Sequence, residues 1–518
     1  MKKLLLLVLA FSVQFSTTGI VQAQTGENTV IVNADQAEYQ ISRHIYGQFA
    51  EHLGRGIYGG IWVGEDSDIP NTEGFRTDVL KALQELEIPN IRWPGGCFAD
   101  EYDWRDGIGP RSERPKTINT HWGMVIEDNS FGTHEFLRLT ELLGAEPYIS
   151  ANVGSGTPAQ MQDWVEYMTF DGDSELANLR RKNGREEPWE IKFFGIGNES
   201  WGCGGNMTAE YYADLYRRFQ TYAKDYSGNE LYKIASGWSN EEYEWTETVM
   251  REAHGMMDAI SLHYYTIAGP SWGNKGPSTD FGEDLYFTGI RKGLLMDEYV
   301  EGHSTRMDKF DPEKDVALAV DEWGIWTDPL PGSNPGFLEQ QNSIRDALIA
   351  STTLDILNSH ADRVRIANIA QTVNVLQAMI RTEGDRMFKT PTYHVFHMYK
   401  PHMDAMLLPV HIEAASYTHE GQSIPAISTT VSRKDGQINI TVSNVDANRE
   451  QKVTFDFRGS NVKNVSSGRI LTADTINAIN TIEDPDHVSP QPFKQATLKN
   501  GQLTLTLPSK SLVSLSLE

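Results

Sequence analysis

Cysteine is nearly absent from this chain of 518 residues, with only Cys97 and Cys203. That excludes a disulfide framework as the source of stability. One bridge stays open to the pair, because the strands before them could end on the same face. Metal-ligand spacing is missing: there is no CxxC, no HExxH and no EF-hand loop. Positive charge is scarce, with 45 Lys and Arg against 71 Asp and Glu, a formal charge of −26. Such a surface repels nucleic acid and anionic membranes, and a neutral substrate fits it better than a polyanion. Solubility alone accounts for the charge equally well. Beyond the N-terminus no apolar run is long enough to span a bilayer. The remainder, 39% apolar and 22% charged, has the profile of a soluble globular protein.

What is present begins with an export signal. In MKKLLLLVLAFSVQFSTTGIVQAQ, Lys2 and Lys3 form a basic start, Leu4 to Phe11 an apolar stretch, and Val21-Gln22-Ala23 a site for cleavage before Gln24. No cysteine follows the apolar stretch, which argues against a lipid anchor. The mature chain is expected in the periplasm or the medium. Losing Lys2 and Lys3 takes the charge from −26 to −28.

From about 45 to 395, strand-like and helix-like segments alternate. The strand candidates are HIYGQFAEH, IPNIRWPGG, EPYISANVG, EIKFFGIGNE, YKIASGWS, MDAISLHYY, VALAVDEWG and RVRIANIAQ. Between them, 74–87 places Phe75, Val79, Leu83 and Leu86 at helical spacing. Segments 208–224 and 337–358 also predict helices. Apolar strands alternating with helices imply a parallel sheet covered on both faces. Eight units predict a (β/α)8 TIM barrel, with an open doubly wound sheet as the alternative. The barrel better explains the strand ends. Glu51, Arg92, Asn152, Asn198-Glu199, Trp238, His263, Glu322 and Gln371 would all converge on one rim. After about 400 the pattern turns to period two, as in QINITVSNV, KVTFDF and QLTLTLP, which predicts an antiparallel, jelly-roll-like β-sandwich. The expected organisation is a signal peptide at 1–23, strand-forming residues at 24–43 that join the sandwich, a catalytic barrel at 44–398 and the sandwich at 399–518.

Most acidic residues of any chain are solvated surface. Those at strand ends stand apart. Glu199 follows Asn198 after an apolar strand, and Glu322 follows Asp321 after another. These are the fourth and seventh strands, which face each other across a barrel mouth. Two carboxylates there could flank one glycosidic bond, and a retaining glycosidase needs them about 5–5.5 Å apart.

The blocks GQFAEHLGRGIYGGIW, IRWPGGCFADEYDWRDGIGPRSERP, GIGNESWGCGGNM, LHYY and VDEWG resemble the α-L-arabinofuranosidases of glycoside hydrolase family 51, in clan A. The resemblance covers the barrel and, by architecture, the sandwich. It implies Glu199 as general acid/base and Glu322 as nucleophile. It implies that Glu51 binds sugar hydroxyls, that Asn198 meets the 2-hydroxyl, and that Gln371 contacts the sugar. Cys97 occupies a position facing the sugar, with an inert buried thiol as the plainer alternative. Tyr265 falls where a tyrosine hydrogen-bonds the nucleophile. His263 beside it either binds substrate or orients the acid/base. Trp104 matches an aromatic on the loop that walls the pocket. Cys203 reads as loop structure.

The expected activity is exo-acting release of terminal arabinofuranosyl groups from arabinan, arabinoxylan or derived oligosaccharides. No cofactor is expected, since carboxylates supply both proton transfer and attack. Family members often form hexamers, which makes a homo-oligomer the implied assembly. The rivals are a β-xylosidase or endo-β-glucanase on the same barrel, and a polysaccharide-binding protein that has lost catalysis. The last would lack Glu199 or Glu322, and both are present. The sandwich could bind carbohydrate, but in the family it is an accessory domain packed on the barrel.

Overall fold

The computed structural model describes residues 26–518, so the segment read as a signal peptide lies outside the described residues. Eight parallel strands close a barrel: β1 (Gly47–Phe49), β2 (Asn90–Trp93), β3 (Glu146–Ala151), β4 (Phe193–Ile196), β5 (Tyr232–Ala235), β6 (Ala259–Thr266), β7 (Ala317–Ile325) and β8 (Val364–Ala370). Each pairs with the next, and Asn368 of β8 pairs with Gly47 of β1 to complete the ring. The eight segments picked from the sequence are these eight strands. Their apolar character follows from position, since β6 and β7 are buried along their whole length. Inside the ring, Tyr148, Phe193, Ile234 and Ile366 pack against the small Ala259, Ala317 and Ala319. Large side chains facing small ones fill the barrel, which leaves its mouth as the place for a ligand.

The helices lie outside. The one expected at 74–87 runs Thr77–Leu86, because Phe75–Arg76 forms a short strand pair with Asn71–Thr72 first. The one expected at 208–224 runs Ala209–Tyr222. The one expected at 337–358 begins only at Ile344. Ser343 caps it there: its backbone N–H donates to Asp346 Oδ2 at 2.7 Å, closing a capping box. This helix, Ile344–Ser359, is buried on every face from Ile344 to Asn358. Such a helix must be covered on both sides. The barrel covers one side. The C-terminal sheets cover the other, through Ser351–Ser443 at 2.8 Å and Asn358 Nδ2 to Thr430 Oγ1 at 3.2 Å.

Those sheets have five and six strands. Alternate residues such as Val431, Ile440, Phe455, Leu503 and Val513 meet between them. The sequence predicts an antiparallel sandwich, and the structure is antiparallel except at one pairing. Gly26–Asn33 pairs antiparallel with Val410–Glu413 but parallel with Gln451–Arg458. A strand arriving from the far end of the chain needs no hairpin, so either direction is open to it.

Candidate active site

The C-terminal ends of the barrel strands surround a cavity of about 220 Å³ that includes Glu51, Cys97, Trp122, Glu199, Glu322 and Gln371 in its lining. Glu322 lies within β7 and is held from two sides. Its Oε1 accepts from Arg92 Nη1 at 2.7 Å, and its Oε2 accepts from the Tyr265 hydroxyl at 2.9 Å. Glu199 comes off the end of β4, where the chain leaves the sheet through Gly197 at φ 87° and Glu199 itself at φ 39°. The second value is uncommon for a residue with a side chain and costs about 1–3 kcal/mol. The loop holds it there: Gly202 N–H and Gly204 N–H both donate to the Glu199 carbonyl, at 2.7 and 3.1 Å.

His263 links the two carboxylates. Its Nδ1 lies 2.9 Å from Glu199 Oε1 and 3.6 Å from Glu322 Oε2, and its Nε2 lies 3.2 Å from Asp321 Oδ1. One oxygen of Glu199 and one of Glu322 stand within 4.8 Å of each other. That separation suits direct displacement through a covalent intermediate; an inverting pair needs about 6.5–9.5 Å to admit a water. Burial opposes charge on His263, but Glu322, Asp321 and Glu199 outweigh it and push the imidazole up to about 10. The ring is therefore a cation at neutral pH, and its nitrogens face carboxylates. Both ring nitrogens of His263 are engaged with carboxylates, Nδ1 with Glu199 and Nε2 with Asp321.

Glu51 sits just beyond β1. Oε1 accepts from Phe98 N–H at 3.1 Å and Trp122 Nε1 at 2.8 Å, and Oε2 accepts from Gln371 Nε2 at 3.1 Å. Burial, with the Glu322 charge nearby, pushes it up to about 7 against these bonds. The chain beside it is glycine, and a Cβ on Gly95 or Gly96 would lie 2.9 Å from Glu51 Oε1 and push the carboxylate out of place. Gln371 Oε1 is buried and has no hydrogen-bond partner among the described residues. Asn198 Oδ1 accepts from Arg92 Nη2 at 2.6 Å, which fixes the amide and presents Nδ2 as the donor.

Two placements, of Trp104 and Cys203, differ from the sequence reading. Trp104 does not line the cavity. It is buried, stacked on Trp164 with ring planes 3° from parallel, and donates to the Gln160 carbonyl at 2.9 Å. The loop folds that indole inward to pack, and Trp122, from the hairpin between Thr117–Asn119 and Val125–Glu127, forms the wall instead. Cys97 lines the cavity, as the resemblance implies, and is bonded to Cys203, the one bridge the sequence left open to the pair. Cys203 in turn lies 3.5 Å from Glu199 Oε2, which is more than loop structure.

Arg92 and Asp100 belong to the site as well. Arg92, which the sequence marks only as a strand end, joins Glu322, Asn198 and, through Nε at 3.2 Å, Ser150. Asp100 accepts from Val153 N–H and Gly154 N–H on Oδ1, at 2.9 and 2.7 Å, and from Asn198 N–H on Oδ2 at 3.1 Å. It ties together the loops after β2, β3 and β4, and burial pushes it up to about 7. A carboxylate seven residues past the end of β2 carries no signal of that role.

Comparison with known proteins agrees with this geometry. Residues 82–271 match the model of the alpha-L-arabinofuranosidase 1 domain, and 321–511 that of the alpha-L-arabinofuranosidase C-terminal domain. A protein of Bacteroides ovatus named intracellular exo-alpha-L-arabinofuranosidase is 53% identical over 492 residues, 95% of each chain. The chain belongs to the α-L-arabinofuranosidases of glycoside hydrolase family 51. Among solved family 51 structures, the arabinofuranosidase of Xanthomonas axonopodis pv. citri superposes with a TM-score of 0.94 at 52% identity, over 95% of this chain and all of that one. The Thermotoga maritima α-L-arabinofuranosidase, solved as an arabinose complex, gives 0.83 at 32% identity, over 94% and 99%.

The same comparison corrects one expectation. The Bacteroides ovatus relative is named intracellular while matching 95% of this chain. Placement in the periplasm or the medium, which rested on residues 1–23, is overturned by it. No helix among the described residues is long and apolar enough to cross a membrane.

Proposed function

We propose that this family 51 glycoside hydrolase releases terminal α-L-arabinofuranosyl groups from arabinan, arabinoxylan or their oligosaccharides by double displacement. Glu322 attacks the anomeric carbon as the glycosidic C–O bond breaks, and Glu199 gives its proton to the leaving oxygen. Water then enters, Glu199 takes its proton, and the ester to Glu322 is cleaved with net retention. The observation that carries this reading is the spacing of Glu199 and Glu322, with an oxygen of each within 4.8 Å. The Arg92 and Tyr265 donors hold the two oxygens of Glu322 in place for attack.

Glu51, Gln371 and Asn198 are the proposed sugar-binding groups. A donor to the 2-hydroxyl strengthens as positive charge builds at the anomeric carbon, which suits the Asn198 amide. The cavity of about 220 Å³ is smaller than the roughly 300–1,000 Å³ of sites for drug-sized ligands, in keeping with a single sugar ring. Assembly as a homohexamer is proposed from the family resemblance alone, and light scattering giving the mass of one chain would refute it.

Azide separates the two carboxylate roles. Glu322→Ala should abolish turnover and, with azide, yield the arabinosyl azide of inverted configuration. Glu199→Ala should yield the retained azide, because the intermediate on Glu322 still forms. Full activity in either variant, or the two configurations exchanged, would sink the assignment. Hydrolysis of nitrophenyl arabinofuranoside over nitrophenyl xylopyranoside separates this reading from a β-xylosidase.

A further inference from the structure

With Glu199 read as the acid/base, we propose that the Cys97–Cys203 bridge is a redox-responsive positioning device for it. Closed, the bridge holds the Glu199 loop in place and sets a sulfur without a hydrogen against the carboxyl. Opened by a dithiol reductant, it hands Glu199 a thiol donor and weakens proton delivery to the glycosidic oxygen.

The two halves of the bridge belong to the two sides of the pocket. Cys97 opens the turn after β2, and its neighbour Phe98 donates to Glu51. Cys203 lies in the loop after β4 that wraps Glu199, between the two glycines whose N–H groups hold the Glu199 carbonyl. Its Sγ stands 3.5 Å from Glu199 Oε2 and 3.9 Å from Asn198 Nδ2. A disulfide sulfur has no proton to give, so the contact with Oε2 does nothing to favour the carboxylate over the acid. A thiol at the same place could donate to it. The other groups facing Glu199 are His263 and Tyr265 from β6 and Glu322 from β7, with Arg92 and Asp100 behind Asn198. All stand on other elements, so opening the bridge changes one neighbour of the carboxyl.

Reduction can reach the site. Both cysteines are partly exposed, and Cys97 lines the cavity. Inside cells, disulfides are mostly catalytic or redox-sensing, and one relative of this chain is named intracellular. The exchange balances: a thiolate of the dithiol attacks one sulfur, the other leaves as a thiol, and the second thiol of the reductant closes its own disulfide and frees the remaining cysteine.

The test uses the whole chain, opened with dithiothreitol, with thiols counted by alkylation and mass spectrometry. Two substrates are compared: an arabinofuranosyl disaccharide, whose leaving oxygen needs a proton, and nitrophenyl arabinofuranoside, whose leaving group hardly does. Opening should lower kcat/KM on the disaccharide about tenfold, part of what a general acid supplies, and leave the nitrophenyl value within about twofold. The alkaline limb of the disaccharide profile should move down by about one pH unit, the effect of one added donor to a carboxylate. Reoxidation should restore both. Cys97→Ser, which leaves a thiol at 203, should behave as the opened enzyme without reductant. Cys203→Ala, which leaves no donor, should keep the limb in place. The proposal is overturned if the air-oxidised protein carries two free thiols. It is equally overturned if opening slows both substrates alike with the limb unmoved, as a plain staple would. Failure of the acid/base reading looks different: Glu199→Ala would then affect both substrates alike and give no azide product, whatever the state of the bridge.

Discussion

Arg92 donates to Glu322 Oε1 at 2.7 Å while its other terminal nitrogen donates to Asn198 Oδ1 at 2.6 Å. One planar fork therefore sets the proposed nucleophile and the proposed 2-hydroxyl donor in a single geometry. Lysine cannot do this, because its ammonium is a point charge on a flexible stem. Arg92→Lys should lower kcat/KM by about a hundredfold, comparable with losing one preorganised donor, in a protein whose circular dichroism is unchanged. A loss under about threefold would show that the fork is dispensable.

His263 should stay protonated well above neutral pH, given a value pushed up to about 10. Its 15N ring shifts should be flat between pH 6 and 8. A group raised on folding adds stability that is complete below the unfolded value, near 6.5, and is lost as pH climbs through about 10. His263→Ala should accordingly lose its stability deficit relative to the parent at alkaline pH. A histidine that titrates near 6.5 in the folded protein would contradict the ion-pair geometry.

Trp122 and Trp104 should separate cleanly. Trp122→Phe keeps a ring in the wall but removes the 2.8 Å bond to Glu51, and should raise KM about tenfold, the worth of one hydrogen bond to a charged group. Trp104→Phe should leave kcat/KM within about twofold and lower stability by about 1–2 kcal/mol, since it loses packing and the bond to Gln160. Steady-state kinetics and chemical denaturation read the two effects.

Asp355, on the helix between barrel and sheets, should make stability fall as pH rises. It accepts from Tyr399, Ser428 and Thr430, with no cation beside it among the described residues, and burial pushes it up from 3.8 to about 7. The folded state holds that proton more tightly than the unfolded chain, so the contribution present below about 4 is lost as pH climbs through about 7. Asp355→Asn should flatten this part of the profile and gain about 1–3 kcal/mol at pH 8. An unchanged slope in urea titrations would disprove it. Glu51 and Asp100, raised to the same region, act in the same direction.

The barrel was legible because its strands are apolar throughout and end in polar residues, a pattern that local sequence carries in full. The carboxylate pair was legible for the same reason. Trp104 misled because an aromatic in a rim loop can face the cavity or the core, and only the position of Trp164 decides between them. Asp100 and Arg92 escaped because their work is long-range: each joins loops or strands that the sequence leaves far apart. The parallel pairing of Gly26–Asn33 escaped likewise, since alternation marks a strand without giving its direction.

The helix Ile344–Ser359 has no face that meets water along Ile344 to Asn358. Cutting the chain near 398 would therefore strip one side of it bare and leave Ser351, Asp355 and Asn358 without their partners Ser443, Ser428 and Thr430. A minimal enzyme trimmed to the barrel should precipitate, not simplify. Swapping in another accessory module should fail unless the replacement brings its own matching surface. The two parts of this chain are consequently expected to pass between genomes as one inseparable unit.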